Sequence, residues 1–153
     1  MLITTKLTKG LNRYKKLTIK ILALGLIMNI SQLAKANDLD RGEKDFITHC
    51  AACHGLNGEG NGDYAPLLTK VPIDLTRIAH ENGGVFEREK IKKIVDGREM
   101  PRAHGSAQMP IWGNWFSEQA LMSNVLQNDR SEIEKMVDAR LNNLMTYLES
   151  IQE

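Results

Sequence analysis

Towards the end of the chain Ile133, Met136, Val137, Leu141, Leu144, Leu148 and Ile151 recur three and four positions apart, with charged and amide residues between them. That spacing winds into one apolar stripe and predicts a long amphipathic helix, opened by a capping box at Ser131-x-x-Glu134. The same period returns over Phe86 to Asp96, where Ile91, Ile94 and Val95 share one side and Gly97 supplies a stop. Leu39, Phe46, Cys50 and Cys53 make a third helical stripe, with Asp40-x-x-Glu43 as its opening box. Gly42 interrupts that stripe at a cost of about 1 kcal/mol relative to Ala, which predicts that another backbone comes close there. Ser117 reads as the cap of a short helix reaching about Leu126.

Two stretches lack any period. Gly55 to Val85 bunches Gly55, Gly58, Gly60 and Gly62 ahead of Pro66 and Pro72, and Arg98 to Phe116 reads as a loop with two Met-Pro pairs and a histidine. No internal repeat or low-complexity tract is present, and the elements together predict an all-α fold. An irregular run as long as 55 to 85 inside one small domain needs a function to demand it.

The first 36 residues stand apart. Lys6, Lys9, Arg13, Lys15, Lys16 and Lys20 precede a short apolar core from Ile21 to Ile30, and Ala34-Lys35-Ala36 has the form of a cleavage site. The reading is a signal peptide over 1–36, followed by one domain over 37–153. A membrane-spanning helix needs about 20 apolar residues, and Asn29, Ser31 and Gln32 interrupt the run too early. Only an uncleaved leader would tether the chain to a membrane. Beyond residue 36 there remain 13 Lys+Arg against 19 Asp+Glu, a formal charge of −6 that disfavours a nucleic-acid role. Residues 88 to 102 are mostly basic and those from 117 onward mostly acidic. The separation reads either as a dipole that orients a docking partner or as two solvated helix faces.

The chemistry centres on Cys50-Ala51-Ala52-Cys53-His54. In a C-x-x-C-H run the two thiols add across the vinyl groups of a haem and the imidazole coordinates its iron. Helical spacing puts Cys50, Cys53 and His54 on one face, so a single short peptide supplies two covalent anchors and a metal ligand. A thioredoxin-type pair would follow a buried strand, whereas Phe46 to His49 continues a helix. Zinc would need four ligands, and no other cysteine exists while His49, His80 and His104 are scattered. Asn57, Glu59, Asn61 and Gly62 mimic half of a calcium loop, but Leu68 stands where a bidentate Glu is required. Neither zinc nor calcium is expected.

On Gly42, Phe46, Cys50, Cys53, His54, Gly55, Met109-Pro110, Trp112-Gly113 and Tyr147-Leu148 the chain resembles the class I cytochromes c, in particular small bacterial monohaem ones. The resemblance implies four to five helices wrapped around one covalent haem c, the first and last crossing, with Leu144, Tyr147 or Leu148 against Gly42 and Phe46. It also implies a haem crevice between the middle helix and the methionine loop. For the second axial ligand the chain offers Met100, Met109, His80 and His104. His80 precedes the middle helix, on the wrong side by the resemblance, and His104 would make a His/His pair of lower potential. Met100 follows the end of that helix, where some related cytochromes place the ligand. Relatives with a similar Met-Pro-x-Trp-Gly element use its methionine, which points to Met109, with Ile111, Trp112, Trp115 and Phe116 as an apolar wall behind it.

A haem ligated by His54 and Met109 has no open position for substrate, so the expected role is single-electron transfer without catalysis, between a donor and an acceptor redox protein. Secretion would place it in the periplasm. The alternatives are a fixed haem subunit of a periplasmic dehydrogenase, or a five-coordinate haem sensor or peroxidase-like protein.

Overall fold

A computed structural model describes residues 35–99, 109–123 and 129–153. By its contacts the chain divides into Met1–Asn37, of which the described residues 35–37 are helical, and Asp38–Glu153. The second unit holds α1 (residues 38–49), α2 (Ala51–His54), α3 (Ile78–Glu81), α4 (Arg88–Asp96), α5 (Trp112–Met122) and α6 (Arg130–Ser150). Single 3-10 turns lie at Ala65–Leu67 and Leu75–Arg77, and no strand occurs among the described residues. The all-α expectation holds, with four longer helices and two single turns.

The stripe on α6 is the spine of the core. Val137, Leu141, Leu144 and Met145 are almost completely buried, as is Phe46 of α1, and each such side chain contributes about 1.5–3 kcal/mol of transfer free energy. Met145 and Tyr147 belong to this buried face, whereas Met136 lies open to solvent. The helix starts differently from the sequence reading. Asp129 is its cap, accepting a hydrogen bond from the Ser131 amide at 2.8 Å, and Glu134 is instead drawn into two bonds with Arg98. Nor does Asp40 open α1, since residues back to 35 are already helical.

Gly42 marks the crossing of α1 and α6. A β-carbon there would meet the main-chain carbonyl of Asn143, lying 2.6 Å from its carbon and 3.0 Å from Tyr147 Cβ. One turn on, the rings of Phe46 and Tyr147 pack with centroids 5.1 Å apart. Among the candidates, Tyr147 is the residue seated against both.

Gly97 ends α4 in a left-handed conformation (φ +70°), its amide bonded to the Lys93 carbonyl at 3.0 Å, as a residue without a β-carbon allows. The segment from 98 to 116 is not all loop. α5 begins at Trp112, five residues ahead of the expected cap, and the Ser117 hydroxyl bonds back to the Gly113 carbonyl at 2.8 Å. Gly113 and Asn114 are poor helix formers, so local propensity hides the start. Packing overrides it: Trp112, Phe116 and Ala120 are buried along one face, and Gly113 abuts Asp96 at the end of α4 and Arg98 just after it.

The irregular segment likewise contains order that only distant residues supply. Asp74 accepts bonds from the amide and hydroxyl of Thr76, starting the 3-10 turn that leads into α3. From the far end of the chain, Gln152 accepts from the Ala79 amide at 2.9 Å and donates to the carbonyls of Leu75 and Leu148.

The basic and acidic segments pair with each other. Arg88 meets Glu149 at 3.0 Å, Lys92 meets Asp138 at 2.5 Å and Arg98 meets Glu134 at 2.9 Å, lacing α4 and the turn after it to α6. Opposite charges held this close largely cancel at a distance, so these three pairs add little to any dipole between the elements.

Candidate functional site

Cys50 stands in helical backbone at the junction of α1 and α2, its amide bonded to the Phe46 carbonyl at 2.8 Å. Its own carbonyl accepts from the amides of Cys53 and His54, so all three motif residues lie within one turn. The turn is buttressed from below by Gly62, where a β-carbon would run into the carbonyl oxygens of Ala51 and Ala52.

This turn forms part of the wall of a cavity of about 610 Å³, within the size range of cofactor sites. Cys50, Cys53 and His54 line it together with Met109 and Pro110, Ile91, Ile94 and Val95 of α4, Trp112 of α5 and Leu148 of α6. Pro72, Ile73 and Leu75 close the side below His54. The irregular segment therefore serves as one wall of the cavity. Of the expected apolar backing to Met109, Trp112 faces the cavity and Phe116 packs one turn behind it, but Trp115 turns outward and is 45% exposed. In the helix that starts at Trp112 the buried line runs through 112, 116 and 120, and position 115 lies about 100° around the axis from 116.

The protonation states suit ligation. His54 Nδ1 lies 3.3 Å from the Ile73 carbonyl, to which it donates, leaving Nε2 as the free donor atom for a metal. Burial lowers this imidazole, against an opposing pull from that hydrogen bond, and so favours its neutral, coordinating form. Burial, aided by Asp45 and Cys53, pushes the Cys50 thiol up to about 12. A redox-active pair works through a thiol whose acidity is enhanced, and Cys50 has the opposite character. The two thiols are free and not joined to each other.

His80 is exposed on α3 and absent from the cavity wall. Met100 and His104 lie outside the described residues. Two features of the site escaped the sequence reading. The Trp112 indole N–H is buried and has no hydrogen-bond partner among the described residues, although it belongs to a residue on the cavity wall. His49, read only as a scattered ligand candidate, lines the cavity too, with its ring centroid 5.5 Å from that of Trp112. Its Nε2 accepts from Arg140 at 3.0 Å, and Arg140 holds Asp45 through two bonds of 2.8 and 2.6 Å. The one sequence signal for this cluster was the spacing of Asp45 and His49, four apart on a single helix face.

The Cytochrome c family profile matches residues 39–152. The chain belongs to the cytochrome c family, whose members carry covalently bound haem and transfer electrons. Neither the curated proteins nor the solved structures include a match to it.

The residues present fit a haem. Two thiols, an imidazole with one nitrogen free and a thioether share a largely apolar cavity, and the unsatisfied Trp112 donor would find an acceptor in the carboxylates that such a macrocycle carries.

A pH dependence follows from His49. Burial and the Arg140 cation lower its imidazole from the usual 6.5, with Asp45 pulling weakly the other way. Near that pH the unfolded chain takes up a proton that the folded protein refuses, so the stabilisation is complete above 6.5 and shrinks as the pH falls towards the folded value. His49→Gln, which keeps an acceptor for Arg140, is expected to flatten the loss of stability just below pH 6.5. Urea midpoints across the range test this, and an unchanged slope would remove His49 from the account.

Proposed function

We propose that this protein is a periplasmic carrier of single electrons with one haem c, attached through Cys50 and Cys53 and ligated axially by His54 and Met109. The observation that carries the reading is that all four groups line one largely apolar cavity. When bound, the haem supplies a one-electron couple, and His/Met ligation sets it at the higher end of the potential range. The chain does the rest. His54 is oriented by the Ile73 carbonyl, Met109 would supply the second donor to the iron and so leave no position for substrate, and Ile91, Ile94, Val95 and Leu148 keep water from the cavity. With no open position the protein carries electrons between a donor and an acceptor redox protein and does not itself catalyse a reaction.

Two measurements on protein produced with its full leader in a haem-attaching bacterial host test this. Mass spectrometry is expected to find cleavage after Ala36, a mature N-terminus at Asn37 and one covalent haem. An intact leader on soluble protein would sink the export assignment. The reduced holoprotein is expected to cycle reversibly with one electron and not to bind carbon monoxide; binding at neutral pH would instead support a five-coordinate sensor or peroxidase-like role.

A further inference from the structure

Arg140 of α6 sits where α1, α5 and α6 meet, and its guanidinium is used on every side. Nε and Nη2 hold the Asp45 carboxylate, Nη2 also reaches His49 Nε2, and Nη1 donates to Gln119 Oε1 at 2.5 Å. The face of the group lies 4.1 Å from the centroid of the Phe116 ring. Asp45 and His49 are on α1, the helix that runs into Cys50; Phe116 and Gln119 are on α5, which begins three residues after Met109. The His49 ring in turn packs on Trp112 and Phe116, with centroids 5.5 and 5.9 Å apart. Among the described residues this is a direct polar tie between the helix that anchors the cofactor and the helix that follows the methionine.

We propose that Arg140 is a positioning residue for the distal ligand: by joining α1 to α5 at Phe116 and Gln119 it holds Met109 in place against the iron. The inference rests on Met109 as that ligand. A thioether is neutral and binds weakly, so its hold depends on the effective concentration at which the fold presents it. A planar fork that engages Asp45, His49 and Gln119 at once and stacks on Phe116 fixes that presentation in a way that an ammonium cannot.

The test is imidazole binding to the oxidised holoprotein, followed with the near-infrared sulfur-to-iron band. The double variant Arg140→Met with Asp45→Asn removes the tie without leaving a half-buried carboxylate unpaired. It is expected to bind imidazole about tenfold more tightly than the parent and to lose the band at a lower pH. Arg140→Lys should fall between the two. Gln119→Met cuts one arm, strands no charge and should shift the affinity in the same direction, so the proposal stays testable if the double variant does not fold. Arg88→Met is the control, since Arg88 also makes three bonds to α6, at Glu149, Asn142 and Thr146, but none to α5. Affinity within about twofold of the parent in the double variant, or an equal gain in Arg88→Met, would overturn the proposal. Persistence of the band in Met109→Ala would instead overturn the ligand assignment beneath it, whatever Arg140 does.

Discussion

Met109→Ala is expected to abolish the near-infrared sulfur-to-iron band of the oxidised protein and to open the iron to carbon monoxide once reduced. The methionine is a cavity-lining residue, as are His54 and both cysteines, and the adjoining Trp112 is buried. Alanine at 109 has no donor to offer, and of the other thiols and imidazoles on the described wall Cys50, Cys53 and His54 already have their places in the proposed arrangement, while His49 Nε2 accepts from Arg140. Met100→Ala is the matched comparison and should leave the band and the closed site unchanged. Absorption spectra of the two variants with and without carbon monoxide decide the matter, and the reverse pattern would move the ligand to Met100.

Gly42→Leu is expected to cost at least the 1–3 kcal/mol typical of overpacking, because the obstacle is backbone. The first added carbon collides with the Asn143 carbonyl of α6, which cannot rotate away as a side chain would, and relief requires the two helices to part. Parting them would also separate Phe46 from Tyr147, a ring pair at the centre of the core. Gly42→Ala is the sharper probe. On an open helix face this change stabilises by about 1 kcal/mol, whereas at this crossing it should destabilise. Chemical denaturation of the holoprotein gives the sign directly, and a more stable Ala variant would show that the crossing has room to spare.

The charge pattern shows how linear reading misleads. Arg88, Lys92 and Arg98 on one segment, and Glu149, Asp138 and Glu134 on another, look like two poles when written in a row. α4 packs on α6, and the poles become three ion pairs that join α4 and the turn after it to α6. Ion pairs whose acidic partner is open to solvent, as here, add little stability individually. Their consequence is that three charges of each sign meet within the fold and are not both presented to a partner.

The haem-attachment motif was legible because its chemistry is local: three groups on one helical turn need no distant residue to bring them together. The amphipathic stripes of α1, α4 and α6 were legible for a related reason, since a 3.6-residue period records which side of a helix will be buried before its partner is known. Gly42 announced a close approach through its local cost, though not the backbone that makes it. Other features arise only when the chain closes on itself. Asp45 and Arg140 are 95 positions apart, Ala79 and Gln152 are 73 apart, and neither pair leaves a mark on its neighbours in sequence. The start of α5 belongs with them, because burial of Trp112 and Phe116 outweighs the poor propensity of Gly113 and Asn114. Periodicity and motif spacing are properties of a few consecutive residues, whereas caps, ion pairs and helix starts go to whichever competing contact the packed core brings within reach.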